Sequence, residues 1–155
     1  MRALTDRDQL LMELEAAHER TRATVSGLGE EQFTAPQLDG WSVRDHLLHM
    51  TAMHELRFFE IMRVARGGRA TFRPQDDAEM DGLNETLLDI RENSEPQQVI
   101  ADWEFAWSMV LDAISNVPEE ALEESRYGEV GIRGGAAHDV AHAGVIAAWR
   151  KKEGL

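Results

Sequence analysis

The chain has 155 residues, 43% of them hydrophobic and 29% charged, a net charge of −13 and no cysteine. This length suits one domain with a substantial core, and the composition excludes a disordered or disulfide-stapled chain. No apolar run reaches the roughly 20 residues that span a bilayer, and the acidic balance opposes phosphate backbones, so neither a membrane nor a nucleic-acid partner is expected.

The opening run MRALTDRDQLLMELE lacks the apolar block of a secretory signal, and with no cysteine the expected location is the cytoplasm. A 3.6-residue hydrophobic period dominates, and nothing longer than a few residues alternates as a strand does. The first helix is predicted from about Thr5 to Ser26, opened by a Thr5/Asp8 capping box, with an apolar seam of Leu10, Leu11, Leu14, Ala17, Thr21 and Val25. The segment GLGEEQFTAPQLDG reads as a loop. A second helix starts at Ser42, boxed by Asp45, and runs to about Arg66, where Gly67 and Gly68 stop it. Residues 69–75 read as loop, and a shorter helix covers roughly Asp77 to Glu92. Another long helix opens at Ser94, with the seam Val99, Trp103, Ala106, Val110, Ile114 and Val117, and Pro118 ends it. Residues 119–135 are expected to cross over to a last helix at about Ala136 to Lys152. The predicted fold is all-α: a four-helix bundle with one additional short helix.

The last helix carries the most informative residues, His138 and His142 in AAHDVAHAGVIAAWRK. At helical spacing they fall on a stripe with Val145 and Trp149, and the stripe is expected to face inward. Two imidazoles one turn apart on an inward face can converge on one divalent metal ion. Neutral rings are required for this, which a position in the first turn favours, and acidification below about pH 6 is expected to release the metal.

A third ligand must come from elsewhere, and the second helix carries His46, His49 and His54. Its strongest seam, Val43, Leu47, Met50, His54, Phe58 and Ile61, points His54 inward; His49 lies on a less apolar stripe with Ala52, Leu56 and Phe59. Periodicity leaves the choice between His49 and His54 open. His46 reads as solvent-facing, and His18 as a satisfied or half-exposed ring beside the first seam. In a chain with 29 Asp and Glu, the acids Glu55, Glu60 and Asp139 read as exposed. Asp139 has the alternative role of orienting a ligand ring. Trp103 and Trp107 have the spacing of core packing. A Gly-rich phosphate loop, a GxSxG elbow, HExxH and a di-iron Glu-x-x-His pair are all missing from the sequence.

The run DGWSVRDHLLHMTAMHE, with Trp41, Ser42 and then His49 eight residues after the Trp, resembles a hallmark of the DinB/YfiT-like superfamily of metal-dependent helical bundles. The HxxxH pair of His138 and His142 followed by an apolar stretch resembles its second hallmark, and NVPEEALEE and AAWRK are also similar to the group. The resemblance covers nearly the whole chain. It implies a metal site of His49, His138 and His142 holding a divalent transition ion, zinc or nickel, with water completing the shell. It further implies a small-molecule substrate and a low-molecular-weight thiol of the bacillithiol, mycothiol or glutathione kind. The expected activity is that of a metal-dependent thiol S-transferase, isomerase or hydrolase, and a homodimer is the expected assembly. With histidine at all three positions the chain looks closer to the YfiT-like branch than to the maleylpyruvate-isomerase branch, where one ligand is commonly Glu. The alternative expectation is a non-catalytic small-molecule-binding or stress-related protein with a structural or vestigial metal.

Overall fold

A computed structural model describes residues 5–72, 76–122, 127 and 132–155. Parts of the expected loop and crossover, residues 73–75, 123–126 and 128–131, lie outside the described residues. Six α-helices are described: α1 (Asp6–Val25), α2 (Glu30–Thr34), α3 (Val43–Ala65), α4 (Asp77–Asp89), α5 (Pro96–Ser115) and α6 (Gly135–Glu153). The all-α bundle is as expected. α2 is an addition: its five residues lie in the segment read as loop, where they seat Phe33 in the core. Among the described residues, no helix is long and apolar enough to cross a membrane.

Local chemistry sets the helix starts. Thr5 and Asp8 form one reciprocal capping box and Ser42 and Asp45 another, each satisfying two N–H groups of a first turn. Glu95, rather than Ser94, is the N-cap of α5, and Pro96 takes the first helical position, where its missing N–H costs nothing. At the far end of α1, Arg150 from α6 donates to the carbonyls of Thr24 (2.8 Å) and Ser26 (2.7 Å).

α3 packs along α5, and α1 along α6. Two apolar clusters fill the bundle. One gathers Leu10, Leu14, Ile61, Val64, Val110 and Ile114. The other gathers Val25, Val43, Leu47, Trp103, Ile146 and Trp149. On each long helix at least one buried or half-buried polar residue falls between the stretches feeding these clusters: Thr21 and His18 on α1, His54 on α3, Glu104 on α5 and Asp139 on α6. His18 is fully buried between Trp103 and Trp107, each ring stacked at 4.0 Å, and its Nε2 lies 2.7 Å from Glu104 Oε2. It is a core histidine with one ring nitrogen paired and Nδ1 without a partner, held between buried Trp103 and half-buried Trp107.

Glu60 departs from the exposed reading. It is buried on α3 and accepts from the backbone N–H groups of Thr71 (2.5 Å) and Phe72 (3.3 Å), the Thr71 hydroxyl (3.0 Å) and Arg63 (3.3 Å). Burial alone would raise its pKa, but these donors outweigh burial and hold the carboxyl below its ordinary value. A carboxylate lowered in this way stabilises the fold above its unfolded pKa, and the contribution is lost as pH falls through the folded value. Glu60→Ala is therefore expected to cost about 1–3 kcal/mol at neutral pH. The difference from the parent should shrink below pH 4.5. Equal melting temperatures at neutral pH would show that this carboxylate does not hold the chain after α3.

Candidate metal centre

Two helix starts build the site. Before α3, Leu38 and Trp41 exchange backbone hydrogen bonds of 2.8 and 3.1 Å across a tight turn. Asp39 and Gly40 take φ of 55° and 89° there, the left-handed conformation such a turn requires. The turn sets Trp41 beside the histidines of α3. His46 and His49, three residues apart, share one side of its first turns, and His138 and His142, four apart, share one side of α6.

His49, His138 and His142 come together, each offering a ring nitrogen within 4.8 Å of the others. The Nε2 atoms of His49 and His138 are 2.9 Å apart. Their ring centroids lie 4.7 Å (His49) and 4.6 Å (His138) from that of His142. Metal–nitrogen bonds of about 2.0–2.1 Å at tetrahedral angles put ligand nitrogens roughly 3.3 Å apart, a spacing that the 2.9–4.8 Å spread brackets. The three imidazoles therefore fit a divalent transition metal.

The outer nitrogens are directed as such a site requires. His138 Nδ1 lies 3.2 Å from Asp139 Oδ1. His142 Nδ1 lies 2.8 Å from His46 Nδ1. Asn84 on α4 stands close enough to His49 to favour a proton on that ring, and neither His49 Nδ1 nor Asn84 Oδ1 has another partner. Burial pushes His46 and His49 down to about 4, and charge from His138 adds to the shift at His49. Burial, with repulsion from His138, His49 and His46, pushes His142 down to about 3. These three rings are neutral at neutral pH and keep their lone pairs.

His54 does not join the cluster. It is 0% exposed, and its Nε2 contacts Asp139 Oδ2 at 2.9 Å, off the line of an ideal hydrogen bond. Asp139 thus links His54 to His138. Burial works to raise the Asp139 pKa, but bonds and charge from His138 and His54 outweigh it and hold the carboxyl well below the usual range.

Four expectations are corrected. His46 is 6% exposed, not solvent-facing, because Trp41 and α6 cover it. Its spacing from His49 is the signal that places it on the same side of α3. Asp139 is 2% exposed, and Val145, expected on the inward stripe, is 46% exposed. The inward face of α6 runs instead through Gly135, Asp139, Ala143, Ile146 and Trp149, so His138 and His142 flank the core rather than enter it. Glu55, read as exposed, is half-buried and pairs with Arg91 at 2.5 Å.

Trp41 is shared between the histidines and a neighbouring cavity. Its ring is nearly parallel to that of His142 at 6.3 Å and lies 5.4 Å from His49. It also lines an open cavity of about 520 Å³ with Arg44, Asp45, Asp81, Asn84 and Leu88.

This arrangement of helices is found in solved structures. A protein from Escherichia coli UTI89 superposes with a TM-score of 0.84 at 12% identity, over 99% of this chain and 97% of that one. The colibactin self-resistance protein ClbS, in complex with a dsDNA, gives 0.83 at 13% identity, over 97% and 98%. A protein from Streptococcus pneumoniae gives 0.77 at 15% identity, over 97% and 93%. The ClbS complex overturns the exclusion of nucleic-acid partners drawn from net charge, since a protein of this fold is crystallised on DNA. A whole-chain sum does not say where cations lie; here Arg150, Lys151 and Lys152 gather in the last turn of α6. No curated protein matches the sequence. The family profile of the DinB superfamily matches residues 13–149, and the chain belongs to that superfamily.

Proposed function

We propose that the chain binds one divalent transition metal ion, zinc or nickel, through His49, His138 and His142, and uses it on a small-molecule substrate with a low-molecular-weight thiol as cosubstrate. The observation that supports this best is the convergence of three rings while the Nδ1 atoms of His142 and His138 meet His46 and Asp139. Three protein ligands leave a coordination position open, the pattern of a catalytic site rather than a closed structural one. A bound ion would supply Lewis acidity, lowering the pKa of a coordinated water or thiol towards neutrality. The residues of the chain do the rest. Burial keeps the ligand rings His49 and His142 unprotonated, Asp139 fixes the His138 ring, and Trp41 forms the wall between the site and the cavity that would receive substrate. The chain has no cysteine, so a thiol must come from a second substrate.

Elemental analysis of tag-free protein, followed by reloading with zinc or nickel, tests the reading; the expected result is about one ion per chain. Thiol transfer is tested on the loaded protein with an electrophilic acceptor, comparing rates with and without each thiol. Metal binding without thiol-dependent turnover would remove the transferase part of the proposal and leave the metal site standing.

The pH dependence follows from the shifted rings. His46, His49 and His142 have folded pKa values of about 4, 4 and 3 against 6.5 for a free ring. Between these limits the unfolded chain binds more protons than the folded one, so stability present above pH 6.5 is lost as pH falls. The melting temperature of metal-free protein is expected to drop steadily from pH 6.5 to about 4, and the increment that metal confers through these rings should persist over that window and shrink as pH falls through their folded values of about 4 and 3. A flat profile would show that the rings are not held neutral by the fold.

A further inference from the structure

We propose that His46 is a positioning residue for the metal site: it fixes the tautomer and orientation of His142 without itself being a ligand. The inference rests on the metal reading above. The two Nδ1 atoms are 2.8 Å apart, so one ring must donate a proton and the other must accept it. A His142 ring that gives its Nε2 lone pair to a metal carries its proton on Nδ1. It is then the donor, and His46 Nδ1 must be the unprotonated acceptor. The His46 proton is thereby placed on Nε2.

That assignment carries a cost. His46 Nε2 is buried with no hydrogen-bond partner, and the ring is nearly inaccessible. A leucine would fill the same space with no orphaned N–H, so packing does not account for a histidine here. The bond to His142 does. Trp41 meets the His46 ring edge to face at 5.1 Å and holds it in place. The three convergent nitrogens belong to His49, His138 and His142, and His46 Nδ1 is already engaged with His142. As a ligand it would have to break that contact. Asp139 directs the Nδ1 of His138, and His46 is the residue that does the same for His142.

The test is a zinc titration of the full chain in competition with a chromophoric chelator, on the parent, His46→Leu and His46→Asn. The asparagine Oδ1 stands where the histidine Nδ1 stands and accepts the same proton. His46→Leu is expected to weaken zinc binding about 10- to 100-fold, and His46→Asn to stay close to the parent. The melting temperature of metal-free His46→Leu should equal or exceed that of the parent, which separates positioning from a merely structural role. Should His46→Leu not fold, His46→Ala is read in its place against the same outcomes. Zinc affinity equal to the parent's in the leucine variant overturns the inference, as does an asparagine variant as weak as the leucine one. A cobalt(II) spectrum altered by His46→Asn also overturns it, because His46 would then be a ligand. A parent chain that takes up no zinc overturns the metal reading itself, and this inference with it.

Discussion

Replacing His49 with alanine is expected to abolish tight metal binding, whereas His54→Ala leaves one metal per chain and lowers stability. Both rings are buried on the same helix, five residues apart, so burial does not distinguish them. Geometry does. His49 Nε2 lies 2.9 Å from His138 Nε2 and within the group that also takes in His142. His54 instead contacts Asp139, on the side of that carboxylate away from His138. Without His49 only two ligands remain, both on α6, and nothing from α3 closes the site. Without His54 the three-nitrogen set is intact, but a fully buried volume is emptied and Asp139 loses one of two partners. That loss is expected to be on the order of 1–3 kcal/mol. Metal titration with parallel thermal melts reads both outcomes. If His54→Ala loses the metal and His49→Ala keeps it, the ligand assignment is wrong.

What the sequence discloses of this arrangement, and what it hides, follows the range of the interactions involved. Capping boxes are local chemistry, so Thr5/Asp8 and Ser42/Asp45 place the starts of α1 and α3 to the residue. The seams of α1, α3 and α5 are rich in large apolar side chains, and their buried faces are those the period predicts. α6 is different. Alanine, glycine and valine occur on several of its sides, so the period hardly fixes the helix phase. A rotation of about one residue, 100°, separates the stripe through Val145 from the observed one through Asp139. That rotation is set by packing on α1, and it explains why a buried carboxylate reads as an exposed acid. His46 is hidden for the same reason: its cover comes from Trp41 and His142, one across a turn and the other from a helix nearly a hundred residues away. α2 escapes because three glycines and a proline announce a loop, while Phe33 earns the segment a turn of helix only through tertiary burial. Membership in the DinB superfamily, by contrast, is carried by order and spacing along the chain, which survive without any knowledge of phase.

Asp139→Ala is expected to be among the most damaging substitutions in the protein, costing about 3–5 kcal/mol, because it removes the charged partner of groups that stay buried. Asp139 is 2% exposed and His54 is 0% exposed, so water cannot replace the lost contact. Arg57 adds to the cost. Its Nε and Nη1 are buried with no hydrogen-bond partner, and Asp139 supplies favourable charge to its guanidinium. Removing the carboxylate leaves that cation without compensation as well as freeing His54 and the Nδ1 of His138. The same change should weaken zinc binding by about 10-fold or more, since His138 then lacks the acceptor that orients its ring. Asp139→Asn keeps one acceptor oxygen and the shape, so its loss should be smaller in both measurements. The sign of the pH dependence is set by the lowered pKa: the carboxylate stabilises the fold above 3.8 and the contribution disappears as pH falls through its folded value. The gap between parent and Asp139→Ala should therefore hold from neutral pH down to about 4 and close only below it. Adding His54→Ala to Asp139→Ala should cost less than His54→Ala costs alone, because the two groups share one contact. Chemical denaturation of the four proteins in that cycle measures the coupling. Strict additivity would mean that His54 and Asp139 stabilise the bundle independently, and that the polar link between the core and the metal histidines is not an energetic one.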